Sequence, residues 1–231
     1  MKYEVLIFDA DETLFDFEKS ERYALEHAMK ELGISYNESY HLPIYSKINE
    51  TIWKELERGQ ITQDALKAER FRRFIDKIEV SIDANDLSSA YLRHLSDASF
   101  LLEGSYELIE ALKPNYRMII VTNGLTSVQM KRIRSSILAP FFEGVIISEE
   151  INLSKPNAAI FDYALESIQY RDKQKVLMIG DSLTSDMKGG NNAGIDTCWY
   201  NPNQKENTNG ASITYEVSNF EELKQLLVSK N

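Results

Sequence analysis

The chain has 231 residues, which suits one large domain or a core with a smaller insert. Its formal net charge at pH 7 is −10, and this disfavours a protein that binds a nucleic-acid backbone, because such proteins are normally basic or carry a basic stripe. No apolar run reaches about 18 residues, so we expect neither a membrane span nor a membrane partner.

Cysteine usage and the first residues indicate a compartment. The single cysteine, Cys198, excludes an intrachain disulfide and fits a reducing environment. The first residues lead straight into a predicted core strand rather than a signal peptide. We therefore expect a cytoplasmic protein that is a monomer or a weak homodimer. Two short basic clusters, at residues 70–73 and 131–134, are interpreted as solvated helix faces rather than docking patches.

The first predicted element is a strand that ends at residue 8. Its run of Val, Leu, Ile and Phe is short and continuous, which is typical of a strand buried on both faces. Asp9 and Asp11 follow it, and their side chains point the same way in an extended chain. The pair predicts either a metal site or a shared acid/base site, since a cation would relieve the repulsion between two acids. By itself it fits an ordinary solvated turn equally well.

The sequence pattern of the next eighty residues predicts helices and no strands. Apolar residues recur there at helical spacing in four stripes, and Thr62 stands at the predicted start of the third helix. From residue 101 onward, predicted strands alternate with predicted helices. The strands are at residues 117–121, 144–148, 176–179, 197–200 and 213–217. The helices are at residues 107–112, 128–138, 187–193 and 220–228, with one more opened by Lys155–Pro156, and a polar loop covers 201–210.

Strands that alternate with helices of this length predict βαβ units and a parallel sheet covered on both faces. The predicted fold class is therefore α/β, with a doubly wound, Rossmann-like parallel sheet. We expect a discontinuous core of residues 1–16 and 97–231, with an all-helical domain of residues 17–96 inserted after strand 1.

Polar side chains follow three of the predicted strands, and parallel strands bring their carboxyl ends to one edge of a sheet. Thr122 and Asn123 follow the second strand, and Asp181 follows the fourth. Asp186 comes five residues later, and Lys155 stands before the helix that follows the third strand. Each of these groups alone is a common turn or helix-start residue.

Together these groups could bind a metal ion and a phosphate group. Carboxylates are hard oxygen ligands that suit Mg²⁺ better than zinc. A Thr at a helix N-terminus suits a phosphate oxygen, and Lys supplies a point charge for an anion. One carboxylate is then available as a nucleophile and another for proton transfer, which points to phosphoryl transfer.

The pattern resembles the haloacid dehalogenase (HAD) superfamily of phosphohydrolases, whose four motifs occur in order along the whole chain. The first motif, DxDx[TV], matches Asp9-Ala10-Asp11-Glu12-Thr13. The others match Thr122, Lys155, and Gly180-Asp181 with Asp186. Glu12 departs from the family, since most members have Gly there. The string from Asp9 to Phe17 is similar to the branch of pyrimidine, or house-cleaning, 5′-nucleotidases.

The resemblance implies a role for each matched residue. Asp9 would be the nucleophile that becomes an aspartyl phosphate. Asp11 would protonate the leaving alcohol and then deprotonate the attacking water. Thr122, with the Asn123 N–H nearby, would hold a phosphate oxygen. Lys155 would neutralise charge on the transferring phosphoryl group and on Asp9.

The resemblance also implies a Mg²⁺ cofactor and a helical cap. The metal ligands would be Asp9, the backbone carbonyl of Asp11, and Asp181. Asp186 would bind the metal, through water in one arrangement, or would orient Lys155. The helical insert matches a family cap domain that closes over the strand ends and sets specificity. Side chains of the insert to consider for substrate contact are Tyr23, Tyr45, Trp53, Arg58 and Arg70.

The substrate that the resemblance implies is a small phosphomonoester, a nucleoside 5′-monophosphate, with a sugar phosphate as the alternative. A haloacid dehalogenase would use the same fold and first Asp, but it has no need of an acid at position 11. A signalling receiver domain is also disfavoured. Such a domain is about half this length, has adjacent acids on its first strand and has no cap. A hydrolase fold used only for binding is disfavoured by the intact catalytic groups.

Overall fold

A computed structural model describes residues 2–208 and 210–228 of the protein. Asn209, within the predicted 201–210 loop, lies outside the described residues. The chain divides into two compact units, one of residues 1–17 and 100–231 and the other of residues 18–99. None of the helices in the described part of the chain has the length and apolar character needed to cross a membrane.

The first unit is built around a six-stranded sheet in which all neighbouring strands are parallel. The strand order is β3-β2-β1-β4-β5-β6. The strands are β1 (Val5–Phe8), β2 (Arg117–Thr122), β3 (Gly144–Ile147), β4 (Val176–Gly180), β5 (Asp196–Tyr200) and β6 (Tyr215–Val217). The predicted fold class is confirmed. The strand order reverses between β1 and β4, and open α/β sheets bind ligands outside the carboxyl ends of the strands at such a point.

Both faces of the sheet are covered by helices, as the unbroken apolar run of β1 predicts. Leu6 and Phe8 pack on one face with α5 (Ser105–Leu112) and α10 (Phe220–Val228). Val5 and Ile7 pack on the opposite face with α8 (Ala158–Ser167) and α9 (Lys188–Ala193). All four β1 side chains are fully buried, and burial of each contributes about 1.5–3 kcal/mol.

Two of the helices in the first unit have a boundary that differs by more than two residues from the predicted one. Helix α6 spans Thr126–Arg134 rather than 128–138, and a 3₁₀ turn at Ala139–Phe141 follows. Ser135 is the C-cap of α6, and Pro140 in the following turn has no N–H with which to continue an α-helix. Helix α8 begins at Ala158 rather than at Lys155, because Asn157 is its N-cap and accepts a hydrogen bond from the Ala159 N–H. Lys155 therefore lies in a loop. A short helix that was not predicted, α7 (Ser148–Ile151), follows β3.

The second unit is helical. Its helices are α1 (Phe17–Glu31), α2 (Glu38–Glu57), α3 (Gln63–Ile78) and α4 (Ala84–Asp97). Residues 18–99 are all described, and they contain no strand, as the periodicity predicts. The Thr62 hydroxyl accepts a hydrogen bond from the Ala65 N–H at 3.2 Å, so the predicted start of the third helix is confirmed.

The interpretation of residues 70–73 as a solvated helix face is wrong for Arg70. That side chain is buried, and its guanidinium carbon lies 5.1 Å from the ring centres of both Phe71 and Tyr91. Arg70 Nη1 also donates to Asn49 Oδ1 at 3.1 Å. The aromatic rings and the amide replace part of the water that the charge loses on burial, since Nε and Nη2 of Arg70 have no hydrogen-bond partner.

Candidate active site

Asp9 lies directly after β1, at the carboxyl edge of the sheet. Its backbone N–H still donates to the Ile179 carbonyl of β4 at 2.9 Å, which holds it in line with the strands. Its Oδ1 accepts a hydrogen bond from Lys155 Nζ at 2.5 Å. The same Nζ lies 2.7 Å from Asp186 Oδ1, and the Lys155 side chain is only 1% exposed. One buried cation is thus shared by two carboxylates.

Asp186 is fully buried, and the protein engages both of its carboxylate oxygens. Oδ1 contacts Lys155, and Oδ2 accepts a hydrogen bond from the Ser182 N–H at 3.0 Å. Gly180 makes room for this carboxylate, because a Cβ at that position would lie 2.3 Å from Asp186 Oδ2. The glycine of the Gly180-Asp181 motif is therefore required by the packing of the second acid in the same motif.

A group of three acids that can hold a cation is formed by Asp9, Asp181 and Asp186. One oxygen from each lies within 4.8 Å of the others. Burial raises the pKa of Asp9 to about 7, even though Lys155 acts in the opposite direction. Burial, and then the charges of Asp186 and Asp9, hold the pKa of Asp181 well above its usual range. Fully ionised, the three carboxylates would carry more negative charge than the single ammonium of Lys155 balances. These hard oxygen donors fit Mg²⁺, which would relieve the repulsion.

Thr122 and Asn123 lie at the end of β2, where they were predicted, and their side chains have protein partners. Thr122 is buried, and its Oγ1 accepts a hydrogen bond from Gln129 Nε2 at 3.0 Å. Asn123 Nδ2 donates to the Lys155 carbonyl at 2.8 Å, and its Oδ1 accepts from the Lys155 N–H at 2.9 Å. This pair of hydrogen bonds fixes the loop that carries Lys155, a contribution of the Asn123 side chain that the motif did not predict.

The carboxylate of Asp11 is bound by two side chains of helix α6. Its Oδ1 accepts a hydrogen bond from Arg132 Nη1 at 2.7 Å, and its Oδ2 accepts one from Gln129 Nε2 at 2.8 Å. The expected metal ligand from Asp11 is its backbone carbonyl. The side chain of Asp11 is therefore available for proton transfer. Its side chain is 27% exposed, so it remains accessible from outside.

Gln129 and Arg132 are the site residues that sequence reasoning missed. The interpretation of residues 131–134 as a solvated face is wrong for Arg132, whose side chain is 1% exposed, although Lys131 and Arg134 are exposed. The spacing of these two residues in the sequence could have identified them. Gln129 and Arg132 are three residues apart and therefore share one face of a helix that starts just after Thr122.

Glu12 occupies a left-handed backbone position, with φ of +56°. Glycine adopts this conformation without the cost that a side chain adds, which is about 1–2 kcal/mol. The Glu12 carboxylate also lies near enough to Asp181 to add to the rise in the pKa of that acid. The position that is Gly in most members of the family thus carries both backbone strain and an extra negative charge here.

Replacing Glu12 with Gly is expected to raise the free energy of unfolding by about 0.5–1 kcal/mol in the absence of divalent cations. Part of the gain comes from the backbone and part from the lost repulsion with Asp181. Glu79, the C-cap of α3, has the same φ of +56°, so Glu79→Gly is a matched backbone control. Urea unfolding measures both variants, and Glu12→Gly should gain more. A Glu12→Gly variant that is less stable than the wild type would contradict the inference that the backbone is strained at Glu12.

The comparisons with known proteins agree with this geometry. Residues 6–200 match the family model of the haloacid dehalogenase-like hydrolases. The chain is 39% identical over 224 residues to the pyrimidine 5′-nucleotidase PynA of Streptococcus pneumoniae, a match that covers 96% of this chain and 94% of PynA. It is 34% identical over 227 residues to the pyrimidine 5′-nucleotidase YjjG of Escherichia coli, covering 98% of this chain and 99% of YjjG.

A crystal structure of YfnB from Bacillus subtilis bound to magnesium superposes with a TM-score of 0.92 at 36% sequence identity. The superposition covers 99% of this chain and all of that one. The expected resemblance, including the nucleotidase branch, is confirmed by these matches. The chain belongs to the haloacid dehalogenase-like hydrolase family, and it is an enzyme of the hydrolase class.

Proposed function

We propose that this protein is a Mg²⁺-dependent phosphatase that hydrolyses nucleoside 5′-monophosphates through an aspartyl phosphate on Asp9. The observation that carries the proposal is the carboxylate of Asp9, which contacts Lys155 at the switch point of the sheet with Asp181 beside it. The preference for nucleotides rests on the relatives PynA and YjjG, which are pyrimidine 5′-nucleotidases and match this chain over nearly its full length.

In the first half of the reaction, a carboxylate oxygen of Asp9 attacks phosphorus, and the bond between phosphorus and the ester oxygen breaks. Asp11 gives its proton to the departing oxygen, which leaves as the nucleoside alcohol. In the second half, Asp11 takes a proton from water while the water oxygen attacks phosphorus. The bond between phosphorus and Asp9 then breaks, and inorganic phosphate leaves.

The surrounding groups lower the energy of both transition states by position and charge. Lys155 places its ammonium beside Asp9, where negative charge concentrates on the transferring phosphoryl oxygens. Thr122 offers its hydroxyl at the end of the neighbouring strand. Mg²⁺, held by Asp9 and Asp181, would supply further positive charge against those oxygens when bound. Asp186 orients Lys155, since both of its own carboxylate oxygens already have protein partners.

Phosphate release from a panel of substrates tests the proposal. We expect Mg²⁺-dependent turnover of UMP, CMP and dTMP at rates above those of purine nucleotides and of glucose 6-phosphate, and loss of turnover in EDTA. Mg²⁺ should also raise the thermal unfolding midpoint of the wild type, because a ligand that binds the native state stabilises it, and should raise that of Asp181→Asn less.

Two results would contradict the proposal at different levels. No phosphate release from any phosphomonoester would exclude a phosphatase. Faster release from sugar phosphates than from nucleotides would keep the phosphatase and overturn the nucleotide preference.

A further inference from the structure

Helix α6 presents two buried side chains to the carboxylate of Asp11. Arg132 Nη1 donates to Asp11 Oδ1 at 2.7 Å and also to Gln129 Oε1 at 3.0 Å. Gln129 Nε2 donates to Asp11 Oδ2 at 2.8 Å and to Thr122 Oγ1 at 3.0 Å. The amide of Gln129 thus accepts through its oxygen and donates through its nitrogen, so the hydrogen bonds are mutually consistent.

This network joins two motifs that are far apart in sequence. Asp11 and Arg132 are separated by 121 positions, and Gln129 follows Thr122 by seven. Gln129 reaches Thr122 because residue 124 is glycine, since a Cβ there would lie 2.6 Å from Gln129 Cγ. The glycine after Thr122 and Asn123 therefore has a specific function, which is to let this amide lie against the end of β2.

The two side chains on α6 are held rigidly. Both Gln129 and Arg132 are buried, and the Arg132 guanidinium carbon lies 5.6 Å from the ring centre of Phe15 and 5.9 Å from that of Phe17. Contact with these rings, together with the hydrogen bonds to Asp11 and Gln129, restricts the movement of the guanidinium. Asp11 is more exposed than its partners, and both of its carboxylate oxygens accept hydrogen bonds from α6. Its position is thus set from the helix.

We propose that Gln129 and Arg132 are positioning residues that hold the acid/base carboxylate of Asp11 in a fixed place relative to the phosphate-binding Thr122. The inference rests on the proposed function, because it assigns the network to the proton-transfer step of that reaction. Both residues act through Asp11, and Gln129 also contacts Thr122. Because the Gln129 amide contacts both Asp11 and Thr122, it links the position of the proton donor to the site of the bound phosphoryl group.

The proposed positioning role can be detected by changing the leaving group of the substrate. A nucleoside alcohol departs only if it gains a proton, whereas p-nitrophenolate departs without one. Misplacing Asp11 should therefore slow nucleotide hydrolysis and leave p-nitrophenyl phosphate almost unaffected in kcat/KM, which reports steps up to phosphorylation of Asp9. General damage to the site would lower both values equally.

The test measures kcat/KM for UMP and for p-nitrophenyl phosphate in Gln129→Met and Arg132→Met. Gln129→Met keeps the length and packing of the side chain and removes its hydrogen bonds. We expect kcat/KM for UMP to fall roughly tenfold to a hundredfold, because catalysis is sensitive to displacements of about 1 Å. The value for p-nitrophenyl phosphate should fall by no more than about threefold.

Arg134→Met is the matched control, since Arg134 is an exposed arginine on the same helix and should change neither value. In an Asp11→Ala background, Gln129→Met should no longer alter the ratio of the two kcat/KM values, because the residue that it positions is gone. Thermal unfolding of each variant shows whether it is folded. If Arg132→Met does not fold, the kcat/KM values of Gln129→Met alone test the inference.

An unchanged ratio of the two kcat/KM values in Gln129→Met would overturn the inference, and so would a further change in that ratio in the Asp11→Ala background. Both results leave the phosphatase proposal intact as long as the wild type releases phosphate and Asp11→Ala prefers the aryl substrate. An inactive wild type would instead mean that the proposed function itself is wrong.

Discussion

Replacing Asp9 with Asn is expected to lower turnover of every substrate by roughly 10⁴-fold or more, because the neutral amide cannot attack phosphorus. The variant should fold, since Lys155 keeps its contact with Asp186 and one of three mutually repelling carboxylates is neutralised. Phosphate release measures the loss.

A covalent readout separates loss of the nucleophile from loss of a metal ligand. After an acid quench, intact mass spectrometry should find one phosphoryl group on the wild type during turnover of p-nitrophenyl phosphate and none on Asp9→Asn. The adduct should accumulate in Asp11→Asn, which lacks the base for its hydrolysis. The exposed Asp162 offers a control, since Asp162→Asn should keep full turnover. A phosphorylated Asp9→Asn variant would contradict the assignment of the nucleophile.

Replacing Lys155 with Met is expected to lower the free energy of unfolding by about 3–5 kcal/mol in EDTA, because the change leaves buried carboxylates without their cation. The Lys155 ammonium lies 2.5 Å from Asp9 and 2.7 Å from Asp186, and its side chain is only 1% exposed. Urea unfolding measures the loss. A second change, Asp186→Asn, should restore part of it, and so should added Mg²⁺, which supplies positive charge to the same acids.

A surface pair of equal length provides the control. Lys173 Nζ also lies 2.5 Å from a carboxylate oxygen, that of Asp162, but these side chains are 39% and 53% exposed. Water and salt screen such a pair, so Lys173→Met should cost less than about 1 kcal/mol. Similar losses in Lys155→Met and Lys173→Met would show that burial of the Lys155 pair does not matter for stability.

The sheet could be predicted because its signal is local. The apolar run of β1 and the alternation of strands with helices are patterns within short stretches of sequence, and they are typical of strands that are buried on both faces. The helix ends were less predictable. Asn157 competes with Lys155 as the start of α8, and only the hydrogen bond from Ala159 decides between them. Where a helix begins depends on which of several possible caps the loop can orient.

The parallel α/β fold and the family can be predicted from the sequence, because strand periodicity and the types and order of the motif residues are local features of the chain. The contacts of each motif residue depend instead on how distant segments fold together. Arg132 looks like a solvated arginine in sequence, yet it is buried against Asp11, 121 positions away. Whether a charge lies in water or beside an opposite charge depends on which distant segment folds against it, and that information is absent from its neighbours in the chain.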